Sequence, residues 1–233
     1  MNQSGIRRLM LAVGVATMAL AAIATHAQTD PRNVQRENAA ELKKYEWKSR
    51  TEIRRDGETK KDQLSQMSYD IDGNLQQTTI GSMPEKDLPS FGLRGAIAQR
   101  KKKDFVDKLE DLKLLAKLYG ELTPEKMKQF MANGTKTLEP GLLRLEGSNV
   151  LHPGDLMTIW INPVTKRQRR VEIVTSMNDK IVTIVTEFYD ISDVGPTYVA
   201  RNQINYNGNA IVVLTENFDY TLSRRAVESA SVK

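Results

Sequence analysis

Few residues of this chain have the types and spacing that acid–base catalysis needs. His152 opens a His-Pro-Gly-Asp turn that ends at Asp155, and a catalytic pair would need this carboxylate to orient the imidazole. Such turns are usually exposed, and Asp155 is equally well placed to cap the turn. Glu216 and Asp219 are three residues apart in a strand-like segment, so strand geometry predicts that they point to opposite faces. We therefore predict no catalytic residue and no enzyme.

Metal and cofactor chemistry also has little to draw on. The chain contains no Cys and only two His, and one of these, His26, lies in an N-terminal segment that we expect to be removed. Soft-metal sites and Cys–His pairs therefore lack ligands. The run from Asp70 to Asn74 is similar to the start of a calcium loop, but no glutamate follows at the EF-hand spacing, which favours a turn. We predict no metal and no cofactor.

The first 27 residues have the layout of a signal peptide. Arg7 and Arg8 precede an uncharged apolar run from Leu9 to Ile23, and Thr25-His26-Ala27 offers small residues at the two positions that signal peptidase reads. A single membrane anchor is the alternative, but a run of about 15 residues is shorter than the roughly 20 that a bilayer core needs. We predict a signal peptide over 1–27 and a periplasmic protein without a membrane span, with secretion as the less favoured destination.

The charge left after cleavage argues against nucleic-acid binding. The full chain has 34 basic and 29 acidic residues, a net charge of +5, and the loss of Arg7 and Arg8 lowers it to +3. This is well short of the footprint of a nucleic-acid binder. The remaining chain of about 206 residues suits one domain. We predict that domain over 28–222, with a helical insertion at about 95–134 and a flexible tail over 223–233.

Helix and hairpin signals organise the part of the chain before this insertion. Asp30-Pro31 predicts a helix start, because an N-cap acid is followed by a proline that needs no N–H at the first helical position. From Tyr45 to Ile53 the side chains alternate with a period of two, as in a half-buried strand. Asp56-Gly57 and Asp72-Gly73 then predict hairpin turns.

Two helices are predicted within the insertion. Phe105, Leu109, Leu112 and Leu115 recur at intervals of four and three, which predicts an apolar stripe on a helix from Ala96 to Tyr119. Thr123-Pro124 predicts the start of a shorter helix that ends at Asn133-Gly134.

A basic cluster lies in the early turns of the longer helix, at Arg100, Lys101, Lys102 and Lys103. A solvated face is the simpler interpretation of these four residues. Contact with an anionic membrane surface is the alternative, since clustered basic residues are attracted to acidic lipids.

The segment from Leu142 to Tyr220 predicts about five or six antiparallel strands separated by turn residues. Asn207-Gly208 is its strongest signal for a two-residue type I′ turn. Leu156–Trp160, Lys180–Thr186 and Ala210–Thr215 carry apolar or β-branched side chains on both faces, which predicts that both faces are covered over part of their length.

One local motif in this segment carries a resemblance to a known family. Trp160-Ile161-Asn162-Pro163-Val164-Thr165 is followed by Arg170-Val171-Glu172-Ile173. With the signal peptide, the entry helix and the inserted helices, this motif resembles the periplasmic outer-membrane lipoprotein carrier (LolA-like) superfamily and the related sensor domains of sigma regulators. Asn162 stands where the family usually has Asp, and we expect it to cap the same turn. No functional residue of the family aligns with a particular residue here.

The resemblance implies a fold and a function. The fold is α+β, with a strongly curved antiparallel sheet that forms an unclosed, incomplete β-barrel and with helices covering its concave face. The function is non-enzymatic binding of a lipid, an acyl chain or a lipidated protein, in envelope lipoprotein or lipid transport. The alternative is an envelope sensor or protein-interaction domain with no small-molecule ligand. Candidate side chains that line an apolar site, or simply fill the core, are Trp47, Met67, Leu109, Leu112, Met127, Met131, Met157, Ile159, Trp160, Ile184 and Val212.

Overall fold

The computed structural model describes residues 31–84, 92–193 and 195–223. These residues fall into two compact units, one holding 83–84 and 92–122, the other holding 31–82, 123–193 and 195–223. The predicted signal peptide, residues 1–27, lies outside the described residues, as does the predicted tail apart from Ser223. The single domain over 28–222 likewise stays a prediction.

The described part of the chain has three helices and ten strands. The helices are α1 (Pro31–Leu42), α2 (Gly92–Gly120) and α3 (Pro124–Asn133). The strands are β1 (Tyr45–Arg55), β2 (Glu58–Tyr69), β3 (Leu75–Ser82), β4 (Thr135–Glu139), β5 (Leu142–Ser148), β6 (Leu156–Ile161), β7 (Gln168–Met177), β8 (Lys180–Asp190), β9 (Thr197–Tyr206) and β10 (Ile211–Leu222).

All ten strands belong to one antiparallel sheet in the order β3-β2-β1-β10-β9-β8-β7-β6-β5-β4. The strands at its two ends, β3 and β4, are not hydrogen-bonded to each other, so the sheet does not close into a barrel. The prediction of an α+β fold built on an unclosed antiparallel sheet is confirmed.

Two-residue turns, each with at least one residue at a positive φ, join β1 to β2, β4 to β5 and β7 to β8. Asp56 and Gly57 have φ 53° and 80°, and Asn178 and Asp179 have φ 52° and 58°, the signature of type I′ turns. The Asn207-Gly208 prediction is wrong in detail: Asn207–Asn209 form a 3₁₀ turn and Ala210 has φ 43°. The hairpin closes on the pair Tyr206–Ile211 with four loop residues.

Strand β4 was not predicted from the sequence. Its residues are mostly exposed, and Leu138 is 76% exposed. A short edge strand lacks the alternation of buried and exposed positions on which strand prediction depends. Hydrogen bonding to β5 is therefore its main structural support.

A β-bulge in β10 rearranges the side chains near the end of this strand. Two residues, Asp219 and Tyr220, stand opposite Trp47, and Asp219 takes φ 55°. Tyr220 thereby faces the Trp47 ring, whereas Asp219 binds Lys48 Nζ at 3.0 Å. Lys48 and Arg50 are two residues apart on β1, so they share a face of the sheet. Lys48 binds Asp219 and Arg50 is the register partner of Glu216, which places both carboxylates on that face. The sequence expectation that Glu216 and Asp219 point to opposite faces is therefore wrong.

One face of the sheet is buried and the other is largely wet. Buried positions alternate with half-exposed or exposed ones along β7 and β8. On β6 and β10 the alternation is interrupted by Thr158 and Leu214, which belong to the second face and are 7% and 9% exposed. On the second face Leu156, Val174 and Ile181 are 40%, 36% and 53% exposed. The second face is thus open at these three positions and covered at Thr158 and Leu214, so both faces are covered over part of their length only.

Two helices can be placed against the sheet. Helix α1 is held by Asn38, whose Nδ2 donates to the Thr197 carbonyl at 2.9 Å and whose Oδ1 accepts from the Thr197 N–H at 2.7 Å. Helix α3 begins at the N-cap Thr123, which accepts from the Lys126 N–H. Phe130 of α3 lies over Gly147 of β5, where an added Cβ would be 2.7 Å from the ring.

Helix α2 belongs to the other compact unit. It starts four residues before the predicted Ala96, and it buries Leu109, Leu112 and Tyr119. Its predicted role as a cover for the concave face stays a prediction.

Candidate functional site

Asp155 is a structural residue of the turn between β5 and β6. The carboxylate is 1% exposed and accepts hydrogen bonds from the backbone N–H groups of Val150, Leu151 and His152, at 2.6, 2.9 and 2.9 Å. His152 itself is exposed. Of the two sequence interpretations, the turn cap is the one that the geometry supports.

Asn162 caps the turn between β6 and β7, as the sequence predicts. Its Oδ1 accepts from the N–H groups of Val164 and Thr165 at 2.9 and 3.0 Å, and its backbone N–H donates to Arg167 at 2.8 Å. The amide does here what a carboxylate would do, because only its oxygen is used.

The most extensive apolar feature of the sheet is a row of directly opposed side chains on the buried face. It crosses six strands, each member being the register partner of the next, and all of its members are at most 7% exposed. We call it the apolar row: Met157, Ile173, Ile184, Ile204, Val213 and Ile53. Gly147 of β5 continues the row beneath the Phe130 ring. Such a surface binds other apolar groups and excludes water.

The next register row on the same face changes from apolar to polar. Ile159 and Val171 are fully buried, but their partners farther along the row are Thr186, Asn202 and Thr215. Asn202 Nδ2 donates to Thr186 Oγ1 at 2.8 Å, so these groups satisfy one another. In these two rows the buried face is therefore apolar over β5–β7 and mixed over β8, β9, β10 and β1.

An aromatic cluster occupies one end of the mixed half. The Trp47 ring stacks on Tyr220 with a centroid distance of 5.4 Å and contacts Tyr69 at 5.7 Å, and Tyr198 lies 4.2 Å from Tyr220. Burial raises the pKa of the Tyr220 phenol well above its ordinary value, and the neighbouring Tyr198 and Tyr69 add to the shift. Burial likewise raises the pKa of Tyr69 and of Tyr198. These phenols stay neutral at physiological pH and present an amphipathic rim.

A charged cluster lies at the same end of the sheet, where β7 begins and β8 ends. Arg169 Nη2 and Arg167 Nη1 are 2.7 and 3.1 Å from the two oxygens of Asp190, and Thr197 Oγ1 donates to Asp190 at 2.6 Å. Burial opposes ionisation of Asp190, but the hydrogen bonds from Arg169 and Thr197 and the charges of both arginines outweigh it and hold its pKa below its usual value. Asn38 of α1 binds Thr197, which ties α1 to this cluster.

The opposite face carries a network of charges. Trp160 Nε1 donates to Glu139 at 3.2 Å, and the Arg170 guanidinium lies 5.5 Å from the Trp160 ring centre. Arg170 also pairs with Glu172 at 2.9 Å and with Glu187 at 3.3 Å. These half-exposed pairs give this face a hydrated, polar character.

The predicted lining residues are divided among several places. Trp47, Met67, Met157, Ile159 and Ile184 share the buried face of the sheet. Trp160 and Val212 lie on the opposite face, because each alternates with buried neighbours. Met127 of α3 is buried and Met131 is half-buried, and Leu109 and Leu112 are buried residues of α2.

The four basic residues of α2 that are predicted to contact an anionic membrane surface lie at or near the protein surface, and the contact itself stays a prediction. Arg100, Lys101 and Lys103 are exposed and Lys102 is half-buried. In the described ranges no group of three or more His, Cys, Asp or Glu side chains has the arrangement of a metal site. None of the three helices that the structure describes is both long and apolar enough to cross a membrane.

Sequence reasoning missed the charged cluster and most of the aromatic cluster. Arg169, Asp190 and Thr197 come from three strands and Arg167 directly precedes β7, so only the register of β7, β8 and β9 brings them together. The sequence does contain one usable signal for this cluster. Asp190 and Thr197 are the polar residues that flank the turn of the β8–β9 hairpin, where they form its last register pair.

Comparisons with known proteins give remote likenesses only. No family model matches the chain, and no curated protein matches it. Among solved structures, a LolA superfamily protein from Nitrosomonas europaea has a TM-score of 0.33 and 11% identity, covering 80% of this chain and 91% of its own. A DUF1329 family protein from Desulfovibrio piger has a TM-score of 0.34 and 8% identity, covering 84% of this chain and 95% of its own.

Proposed function

We propose that this chain is a non-enzymatic periplasmic binding protein for a lipid, an acyl chain or a lipidated protein, and that it acts in envelope lipoprotein or lipid transport. The observation that carries the proposal is the apolar row on a sheet that does not close. A closed barrel encloses its apolar interior, whereas an open sheet lets a chain-like ligand enter from the side.

The energetics of such a ligand are favourable. Each buried methylene contributes about 0.8 kcal/mol, so about ten methylenes laid along the apolar row contribute roughly 8 kcal/mol. Before the cost of ordering the ligand, this corresponds to a dissociation constant of about 1 μM. Met157 and Met67 suit this role, because unbranched methionine side chains adapt to ligands of different shape.

Native mass spectrometry tests this function. We expect protein purified gently from the periplasm to carry a bound lipid mass, and delipidated protein to take up a fluorescent fatty acid at micromolar concentration. The matched variants are I184N, in the apolar row, and I181N, which is exposed on the same strand. Uptake should fall at least tenfold in the I184N protein and stay unchanged in the I181N protein, with circular dichroism checking that both fold. A mass without bound lipid, together with no uptake of the fluorescent fatty acid by the parent protein, would contradict the proposal.

A second candidate function is a protein-interaction domain that uses strand β3. This edge strand contains no charged residue and no proline, and Ile80 is 51% exposed. Edge strands of this kind pair with an extended strand of a partner unless charges protect them. Strand β4, at the other edge, is shorter and carries Lys136 and Glu139.

Envelope pull-down with delipidated protein separates the two functions. A partner that is retained by the parent protein and by the L138K variant of β4, but lost from the I80K variant of β3, favours the interaction domain. If I80K and L138K retain the same proteins as the parent, β3 is not a docking edge.

A further inference from the structure

The start of β7 holds more positive charge than its partners neutralise. Arg167 and Arg169 both pair with Asp190, at 3.1 and 2.7 Å, and Thr197 donates to the same carboxylate. Two guanidinium groups therefore share a single carboxylate, and the cluster retains a formal charge of +1.

Two donor nitrogens of Arg167 and its neighbour Gln168 are buried without an acceptor among the described residues. They are Arg167 Nη1, which faces Asp190 at 3.1 Å without hydrogen-bond geometry, and Gln168 Nε2. Leaving such groups unsatisfied is costly, and proteins rarely do so without a reason. The two donors come from consecutive residues where the β6–β7 turn enters β7.

The cluster borders the apolar half of the buried face. Gln168 is the register partner of Ile161, which is 4% exposed, and a β-bulge leaves Arg169 without a partner on β6. On β8, Asp190 follows the buried Phe188 by two residues. An alkyl chain against Ile161 and Phe188 would bring its polar end to the arginines.

We propose that Arg167, Gln168 and Arg169 bind the anionic oxygen group of an amphiphile, a phosphate or a carboxylate, whose alkyl chain lies on the apolar half of the sheet. This assignment deepens the proposed function and rests on it for the alkyl chain. Guanidinium groups match phosphate and carboxylate oxygens in geometry and charge. The same oxygen chemistry occurs in free phosphate, so the source of the anion has to be tested.

Calorimetric titration of the delipidated protein with dodecyl phosphate, dodecanol and inorganic phosphate tests the assignment. The variants are R167Q and Q168L, and the matched control is R201Q, an exposed arginine of β9 whose Nη2 binds Gln203. Arg167 is the first choice because its loss leaves the Arg169–Asp190 hydrogen bond in place.

We expect the parent protein to bind dodecyl phosphate at least tenfold more tightly than dodecanol. The R167Q variant should lose about tenfold in affinity for dodecyl phosphate and nothing for dodecanol, Q168L should lose less, and R201Q should match the parent. Equal affinity of the parent for both alkyl compounds, or equal effects of R167Q and R201Q, would overturn the anion site and leave the lipid-binding function standing.

The inorganic phosphate titration shows whether the anion site exists when neither alkyl compound binds. If neither alkyl compound binds, the proposed function fails. Saturable phosphate binding that R167Q abolishes then supports the anion site with free phosphate as its ligand. The absence of phosphate binding as well would overturn the site.

Discussion

Asp155 illustrates how one buried carboxylate fixes a turn. Three successive backbone N–H groups donate to its two oxygens, and Asn149 Oδ1 accepts the Gly154 N–H at 2.8 Å. Side chains at both ends of the turn, Asn149 and Asp155, therefore hold its backbone. Asn149 can take its φ of 56° because asparagine tolerates the left-handed region. The hairpin between β5 and β6 therefore depends on local polar groups.

We predict that D155A lowers the free energy of unfolding by about 3 kcal/mol, because it leaves one buried and two part-buried backbone donors without their acceptor. Urea denaturation followed by circular dichroism measures the change. The control is H152A, whose side chain is exposed and should change stability by less than about 0.5 kcal/mol. Equal effects of the two substitutions would contradict the structural role of the carboxylate.

The tyrosines of the aromatic cluster predict a loss of stability at alkaline pH. A phenol whose folded-state pKa is raised stays protonated while the unfolded chain ionises, so its contribution is complete below about pH 10 and declines above it. Each such phenol costs up to about 1.4 kcal/mol per pH unit between the unfolded and folded pKa values. The Y220F variant should therefore lose stability less steeply than the parent between pH 10 and 11. Identical slopes in urea titrations of the two proteins would contradict the burial of this phenol.

Residue-scale prediction from the sequence succeeded where the signal was local. The caps at Asn162 and Thr123 act within four residues, and both were foreseen. For Asp155 the sequence left two roles open, because burial decides between them and burial is set by the whole fold. The Arg167–Asp190 pair needed the register of β7 and β8, which no local pattern encodes.

At the scale of elements, α3 and β5 fit together through one glycine. Gly147 lets the Phe130 ring approach the backbone, and an added Cβ would be 2.7 Å from Phe130 Cδ2. Real carbon contacts at that distance do not occur, so either the ring or the helix has to move.

We predict that G147A lowers the free energy of unfolding by about 1–3 kcal/mol through overpacking. Gly81 supplies the matched control, since its added Cβ meets only Leu64 Cβ at an ordinary 3.7 Å. Thermal unfolding of G147A, G81A and the parent measures the difference, and a combined G147A/F130L variant should recover part of the loss. If G81A destabilises as much as G147A, the close approach of Phe130 is not the cause.

Element boundaries were predictable where turn residues are strong and unpredictable where the sheet departs from regularity. The Asp56-Gly57 turn separates β1 from β2, as expected, whereas the exposed edge strand β4 was missed. The bulge that rotates Tyr220 toward Trp47 also gives no sequence signal, because Asp219 is not a glycine. Bulges shift which side chains share a face, and for this reason the aromatic cluster was not foreseen.

At the scale of the whole sheet, the two faces differ in chemistry. The buried face carries the apolar row and the mixed polar half, and the other carries the Glu139–Trp160–Arg170 network. The apolar row is a feature of register, with six strands contributing one residue each. Its hydrophobicity was predictable from the sequence, but its continuity was not.

The most direct test of the lipid-binding account uses Trp47 as a reporter on the buried face. The chain has two Trp, so the W160F variant leaves Trp47 alone, stacked on Tyr220. Titration of delipidated W160F with dodecanoate should change the Trp47 emission saturably, with a midpoint at micromolar concentration and a matching bound mass in native mass spectrometry. Unchanged emission up to the solubility limit, together with an apo mass, would contradict the account.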